Sequence, residues 1–396
     1  MIAFDEAVAA VEALARPLGA ETMRLERADG RVLAAPVVAR RASPATAVSA
    51  MDGYAVREAD LASGRARLRL AGESFAGAGF GGELAPGTCV RIFTGAPAPR
   101  GAERVVVQEE ASREGEFVVL EPLPGSGRHL RAAASDFAPG EVLVPAGAVL
   151  DPQKLIAAAA ADLASVEVVR RPKVVIVSTG DELREPGVRG AGPDSIPESV
   201  SFGIAALARR YGGEVVARRR LSDDLPSLTR AAACALEACD VVVTTGGASV
   251  GERDFSKAMF EPLGLELAFS KVAIKPGKPV WLGRACDRLV VGLPGNPTAA
   301  LLTARLFLAP LLAGLSGRAA GSALEWETAR LATPLEACGA RETFYRGRSA
   351  GAGEVEVLAD QDSSAQKALA SADLLIRRRP GEGALEIGEL VPVLAL

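Results

Sequence analysis

Between Val241 and Pro297, three apolar or β-rich runs each stop at a turn built from Gly and Pro: VVVTTGGASVGERDF, KVAIKPGKP and LVVGLPGNP. β-Branched runs punctuated in this way, with helical segments between them, fit a sheet whose strands run largely parallel. Parallel strands need long crossover connections, usually helices. Residues 171–315 keep up the alternation. Strand candidates are Lys173–Val177, Glu214–Ala217, Val241–Thr244, Lys271–Ile274 and Leu289–Val291. Helix candidates are Val200–Tyr211, Leu225–Glu237, Arg253–Glu261 and Thr298–Leu312. The pattern predicts an α/β domain with a mostly parallel sheet.

The flanks read differently. Phe4, Val8, Val11 and Leu14 fall on one stripe of a helix over residues 4–15. From about residue 40 to 147, Gly and Pro separate short apolar runs, among them Arg67–Leu70, Cys89–Phe93, Arg104–Val107 and Phe117–Leu120. That predicts an inserted all-β module. Asp151–Ala164 is helical in pattern, and the C-terminal segment after residue 318 reads as short strands of a small barrel. A chain of 396 residues exceeds one ordinary core, so several domains are expected.

Composition excludes several functions. Aromatics make up 4% and the net charge is −4, which argues against a nucleic-acid surface. The five cysteines form no C-x-x-C pair and the only histidine is His129, so zinc or iron–sulfur sites are not expected. A metal here would be a hard cation on carboxylates. The charged, amphipathic N-terminus does not read as a signal peptide, and the alanine run Leu155–Ala161 is too short to cross a bilayer. The expectation is a cytoplasmic protein with no membrane or nucleic-acid partner.

The turns carry the chemistry. Lys275-Pro276-Gly277-Lys278 has the Pro-Gly centre of a type II turn, with a lysine at each end. Two ammonium groups ~6 Å apart at an effective dielectric of ~20 repel by about 3 kcal/mol, a cost that an anion between them removes. In Leu293-Pro294-Gly295-Asn296-Pro297, Asn296 suits an N-cap and Pro297 a first helical residue, so free backbone N–H groups are expected there. Thr245-Gly246-Gly247-Ala248-Ser249 follows a strand, and its glycines allow close approach of a ligand. Ser178-Thr179-Gly180-Asp181-Glu182 adds carboxylates at the same sheet edge, where open α/β sheets bind ligands. A carboxylate beside a polyanion implies a bridging cation such as Mg²⁺. Asp223 has a competing reading as the cap of the helix Leu225–Glu237. Gly77–Gly82 matches G-x-G-x-x-G but opens no helix, so a dinucleotide site is rejected.

Together with Ser49-Ala50-Met51-Asp52-Gly53-Tyr54-Ala55, Arg91–Pro97 and Phe344-Tyr345-Arg346-Gly347, these runs resemble the molybdopterin molybdenumtransferase family, the MoeA and gephyrin E-domain group, over nearly the whole chain. The resemblance implies an elongated homodimer of four domains. These are a linker domain (1–40 and 138–170), an inserted β-domain (41–137), a three-layer α/β/α molybdopterin-binding domain (171–318) and a C-terminal β-barrel (319–396). The active cleft would lie between the sheet domain of one protomer and the inserted domain of the other.

The implied reaction takes adenylylated molybdopterin and molybdate, requires Mg²⁺ and releases AMP. Possible partners are a molybdopterin adenylyltransferase and a receiving molybdoenzyme. By resemblance, Asp52, Thr94, Asp136, Glu182, Asp254 and Lys275 are catalytic candidates, and Glu182 and Asp223 metal ligands. Substrate contacts would come from Ser178, Thr179, Gly180, Gly246, Gly247, Ser249, Lys271, Lys278, Pro294, Gly295, Asn296, Pro297, Arg346 and Ser363.

Three loops depart from the family pattern. Asp-Asn-Ser is replaced by Ala47-Val48-Ser49, Gly-Glu-Asp by Ala134-Ser135-Asp136, and Asp-Thr/Ser-Asn by Glu198-Ser199-Val200. These departures motivate a second reading, a non-catalytic molybdopterin carrier. A molybdopterin adenylyltransferase is a third.

Overall fold

The runs Lys173–Thr179 (β1), Glu214–Leu221 (β2), Val241–Thr245 (β3) and Arg288–Leu293 (β6) form neighbouring parallel strands in the computed structural model, which describes residues 1–188, 192–246 and 255–396. Glu266–Phe269 (β4) and Trp281–Ala285 (β5) complete a six-stranded sheet in the order β2-β1-β3-β6-β5-β4, with the last two pairings antiparallel. From β1 the chain crosses to β2 on one side, then returns to β3 on the other. The order therefore reverses between β1 and β3, which is the switch point where doubly wound sheets open a crevice. Ser178 pairs with Thr245 and Thr245 with Leu293, so three strand ends lie level there.

The central strands are buried on both faces, as their continuous apolar runs require. Alternation splits them between two cores. Val174, Ile176, Val241, Val243 and Val291 pack with Val200–Arg210 (α2) and the helix Pro297–Leu315 (α4). Val175, Val177, Val242 and Val290 pack with Leu225–Ala238 (α3), Met259 and Phe260. The result is a three-layer α/β/α arrangement.

α4 is apolar and long enough to cross a membrane, but 94% of its most apolar window is buried, which makes it a core helix. A π-helical turn at Ala304–Leu308 precedes Pro310, which cannot donate to the preceding turn.

Met1–Glu21 and Val168–Leu396 make one unit, Thr22–Glu167 the other. The N-terminal helix Phe4–Leu14 (α1) belongs to the first, with Phe4 5.8 Å from the Phe307 ring and 5.1 Å from Phe344. Five strands, Glu327–Leu331 (β7), Glu342–Gly351 (β8), Glu354–Val357 (β9), Leu374–Arg378 (β10) and Leu390–Ala395 (β11), close into a barrel in the order β8-β9-β7-β11-β10-β8. The second unit holds a six-stranded sheet that includes Gly53–Val56, Ala66–Ser74 and Thr88–Ile92. Its helix Pro152–Ala160 is capped by Asp151, whose side chain accepts from the Lys154 amide.

One strand assignment fails. Lys271–Ile274 was expected in the α/β sheet, but only Ile274–Lys275 is extended, and it pairs with Glu342–Thr343 of the barrel. Beyond β6 the sheet is extended by β5 and β4 instead, through a β5–β6 hairpin turned at Cys286 and Asp287 with φ of 45° and 60°. Two left-handed residues make the tight turn that suits strand twist. Cys-Asp is a poor sequence signal for it.

Candidate functional site

Three glycine turns converge at the switch point. A Cβ on Gly246, at φ +86°, would lie 2.3 Å from the Thr179 carbonyl oxygen, so only glycine lets the two strand ends close up. A Cβ on Gly295 would reach 3.4 Å from the Gly246 Cα, which brings the third turn into contact with the second. The Glu182 carboxylate lies over Gly180. Ser178 hydrogen-bonds Thr245 beneath the turns, at 3.1 Å.

A cavity of about 550 Å³ opens on these turns. Thr179, Gly180, Glu182, Asp223, Thr245, Gly246 and the run Pro294–Pro297 line it, and so does Glu198. The Thr179 hydroxyl is buried in this wall with no hydrogen-bond partner among the described residues. Asp181 accepts a hydrogen bond from the Asp223 amide at 3.0 Å, tying two acidic loops together. Asp223 is not the helix cap: Asp224 fills that role, accepting from the Ser227 amide at 3.0 Å. The sequence could not separate two adjacent aspartates one position apart.

Among the described residues, no group of three or more His, Cys, Asp or Glu side chains is arranged to hold a metal by itself. The donor chemistry nevertheless suits Mg²⁺ shared with a substrate. Glu182 and Asp223 give hard oxygen donors on one cavity, and Mg²⁺ takes one or two carboxylates plus water and phosphate oxygens.

A second cavity of about 530 Å³ shares Pro279, Pro294 and Asn296 with the first. Its lining is basic where the first is acidic: Lys275, Lys278 and Arg341, with Tyr345, Gln361, Asp362 and Ser363. The lysine turn is clamped to α4, since a Cβ on Gly277, at φ +105°, would lie 2.2 Å from the Thr303 methyl. Its Lys275–Pro276 peptide is cis, and Gly277 takes the positive φ that the third position of a type II turn requires. Lys271 lies outside the lining of both cavities.

Asn296 begins α4 but makes no side-chain cap. Its side-chain amide donates to the Ser363 hydroxyl at 2.7 Å, while the Thr298 backbone N–H donates to the Ser363 carbonyl at 3.1 Å. The expected row of free N–H groups is thus partly occupied by the chain itself. Arg346 is 1% exposed and donates to the carbonyls of Asp362 and Asp360, at 2.9 and 2.8 Å. Burial pulls its pKa down. Its guanidinium braces the loop that carries Ser363 rather than lining a cavity, a correction to its expected anion contact. Arg341, which the sequence reading passed over, lines the basic cavity instead. The only sequence signal for it was its place beside the FYRG run.

In the second unit, Asp52 and Thr94 come together. The Thr94 amide and hydroxyl both donate to one Asp52 oxygen at 2.7 Å, the amide bond first among the causes that hold the Asp52 pKa below its ordinary value. Asp136 is exposed, and its amide donates to the Ser43 carbonyl at 3.0 Å. Gly247, Ser249 and Asp254 lie outside the described residues.

Comparison with known proteins covers the whole chain. Residues 2–161 match the MoeA N-terminal region (domain I and II), 175–314 a probable molybdopterin binding domain, and 328–396 the MoeA C-terminal region (domain IV). A molybdopterin molybdenumtransferase of Haemophilus influenzae is 34% identical over 99% of this chain and 98% of its own. Molybdopterin molybdenumtransferase 2 of Mycobacterium tuberculosis is 35% identical over 74% of each. A crystal structure of the molybdopterin biosynthesis MoeA protein of Pyrococcus horikoshii superposes with a TM-score of 0.82 at 25% identity, covering 100% of both chains.

Proposed function

The chain belongs to the MoeA family of molybdopterin molybdenumtransferases, enzymes of molybdenum cofactor biosynthesis, and we propose that it transfers molybdenum from molybdate to adenylylated molybdopterin with release of AMP. The observation that carries this reading is the pair of adjoining cavities, one walled by glycine turns and carboxylates, the other by lysines. A pterin joined to a pyrophosphate fits the first. Molybdate, an oxyanion, fits the second.

In this reading Gly180, Gly246 and Gly295 let the substrate approach the strand ends, Thr179, Pro294, Asn296 and Pro297 shape the wall, and Ser178 supports it from beneath through Thr245. Lys275, Lys278 and Ser363 hold molybdate, with Arg341 beside them, and Arg346 keeps the Ser363 loop in place. Glu182 and Asp223 would hold Mg²⁺, which supplies charge neutralisation at the pyrophosphate. Asp52, kept ionised by Thr94, acts in turnover with Asp136 and Asp254. The soft ligands for molybdenum are the pterin's own sulfurs, so no cysteine cluster is needed.

We propose the four-region division with one adjustment: residues 1–21 pack with the α/β unit. The proposed working form is a cytoplasmic homodimer, checked by light scattering.

The non-catalytic carrier reading rests on the altered loops. Against it, Ala47, Val48 and Ser49 take part in the local ladder through their backbones, pairing with Ala98, Pro97 and Leu130, so the changed side chains leave that framework intact. The deciding assay mixes the protein with adenylylated molybdopterin, Mg²⁺ and molybdate and measures AMP. Release that depends on molybdate is expected. AMP at background level would overturn the reading.

A further inference from the structure

Glu198 does something that a polyanion site does not explain. It is 5% exposed, yet it lines the first cavity. Burying a charge is costly unless it is paired or hydrogen-bonded. One oxygen accepts from the Ser201 amide at 2.8 Å and the other from the Ser201 hydroxyl at 2.5 Å, at the start of α2. Helix capping alone ordinarily uses Ser, Thr, Asp or Asn. A carboxylate offers about four lone-pair positions on its two oxygens, and Ser201 uses only two of them.

The surroundings fit a flat heterocycle. Leu183–Arg184 pairs in parallel with Ile196–Pro197, and the Glu198 amide donates to the Arg184 carbonyl at 2.8 Å, which fixes Glu198 at the end of this small ladder. Ile196 and Glu198, two residues apart on an extended run, share a face. Leu183, Ile196, Pro197 and Val200 add apolar lining to the same cavity. The buried Thr179 hydroxyl in that cavity, unpartnered among the described residues, is an independent sign that a polar ligand completes the wall.

Resting on the reading that this cavity takes molybdopterin, we propose that Glu198 is the residue that reads the ring, accepting hydrogen bonds from the adjacent N3–H and 2-amino N–H of the pterin edge. Two parallel N–H donors match two carboxylate oxygens, as in other bidentate carboxylate pairs. A lumazine ring, which carries a 2-oxo group in place of the amine, turns an acceptor toward the same carboxylate and is rejected.

The test uses the full-length protein with 6-hydroxymethylpterin and 6-hydroxymethyllumazine as probes, and follows ring fluorescence on binding. Wild type is expected to prefer the pterin by about tenfold or more, the size of a hydrogen-bond pair to a charged group. Glu198→Gln retains an acceptor for the Ser201 amide but puts a donor toward the ring, and is expected to lose that preference. Ser201→Ala loosens the cap while keeping the carboxylate. It should lower thermal stability and leave the preference intact, which separates recognition from folding. Wild-type preference persisting in folded Glu198→Gln overturns the inference and leaves the proposed function standing. Failure of wild type to bind either ring, or equal binding of the two, overturns the inference alone, whereas background AMP release overturns both.

Discussion

Gly277 offers a direct test of how the lysine turn is held. At φ +105°, a Cβ there would lie 2.2 Å from the Thr303 Cγ2 on α4, a side chain that is fully buried. Gly277→Ala therefore carries two separable costs. A side chain in a sparsely populated backbone region costs about 1–3 kcal/mol. Overpacking a filled site costs about 1–3 kcal/mol more. Only the second depends on the Thr303 methyl.

Thr303→Ser removes that methyl and keeps the hydroxyl, which donates to the Ala299 carbonyl at 2.7 Å. Alone it should cost about 1 kcal/mol, the value of one buried methyl. In the double variant the new Cβ occupies the vacated space, so the two changes should couple favourably by about 1–3 kcal/mol. The assay is urea unfolding of wild type, both single variants and the double, with AMP release measured on each. AMP release should fall in Gly277→Ala, because Lys275 and Lys278 flank the displaced residue, and recover in the double. Strictly additive unfolding energies would show that the turn is not clamped by this contact.

Four further outcomes follow from the same geometry. Asp224→Ala should lose about 1 kcal/mol of stability in chemical denaturation through the lost cap, whereas Asp223→Ala should lower AMP release far more than stability. Ala134 sits at φ 56°, where the family pattern has glycine, so Ala134→Gly should raise stability by up to about 1 kcal/mol; a thermal melt showing a loss would contradict this. Asp52 has a folded pKa below its unfolded value, so its contribution to stability is present above the ordinary carboxylate range and fades as pH falls through the lowered value. Thr94→Ala removes one of two bonds and should move that pKa partway up in a carboxyl carbon NMR titration, with no movement counting against the pairing. Arg346→Lys cannot span two carbonyls, so it should lower both stability and AMP release, while unchanged activity would remove its bracing role.

The parts of this fold legible in the sequence are those written in short-range chemistry. A β-branched run that stops at Thr-Gly or Pro-Gly marks a strand end here, and three such ends define the cavity wall: Thr179 and Thr245 before glycine, and Leu293 before Pro294-Gly295. What the sequence left open is lateral order. Nothing in the composition of Lys271–Ile274 distinguishes a strand of the α/β sheet from the edge of the barrel. The decision lies in a hairpin at Cys286 and Asp287 whose left-handed residues are neither Gly nor Asn. The second unit was readable in outline because its strands are short and bounded by turns, and Arg104–Val107 and Phe117–Leu120 fall where the pattern put them.

Side-chain direction was the larger gap, and it changes how the basic cavity works. An arginine near a lysine turn reads as an anion ligand, because residue type and position are all the sequence offers. Arg346 instead donates to the backbone carbonyls of Asp360 and Asp362, which ties down the loop between them. That bracing lets Ser363 reach two residues at the start of α4, Asn296 and Thr298. One backbone N–H at the positive end of the helix is therefore already engaged by a neutral carbonyl, while positive side-chain charge comes from Lys275, Lys278 and Arg341 around it. An oxyanion entering this cavity meets side-chain cations, and it gains the Thr298 N–H only by displacing the Ser363 carbonyl. Binding there should accordingly weaken with salt, as contacts to exposed lysines do, and Ser363→Ala should not abolish it.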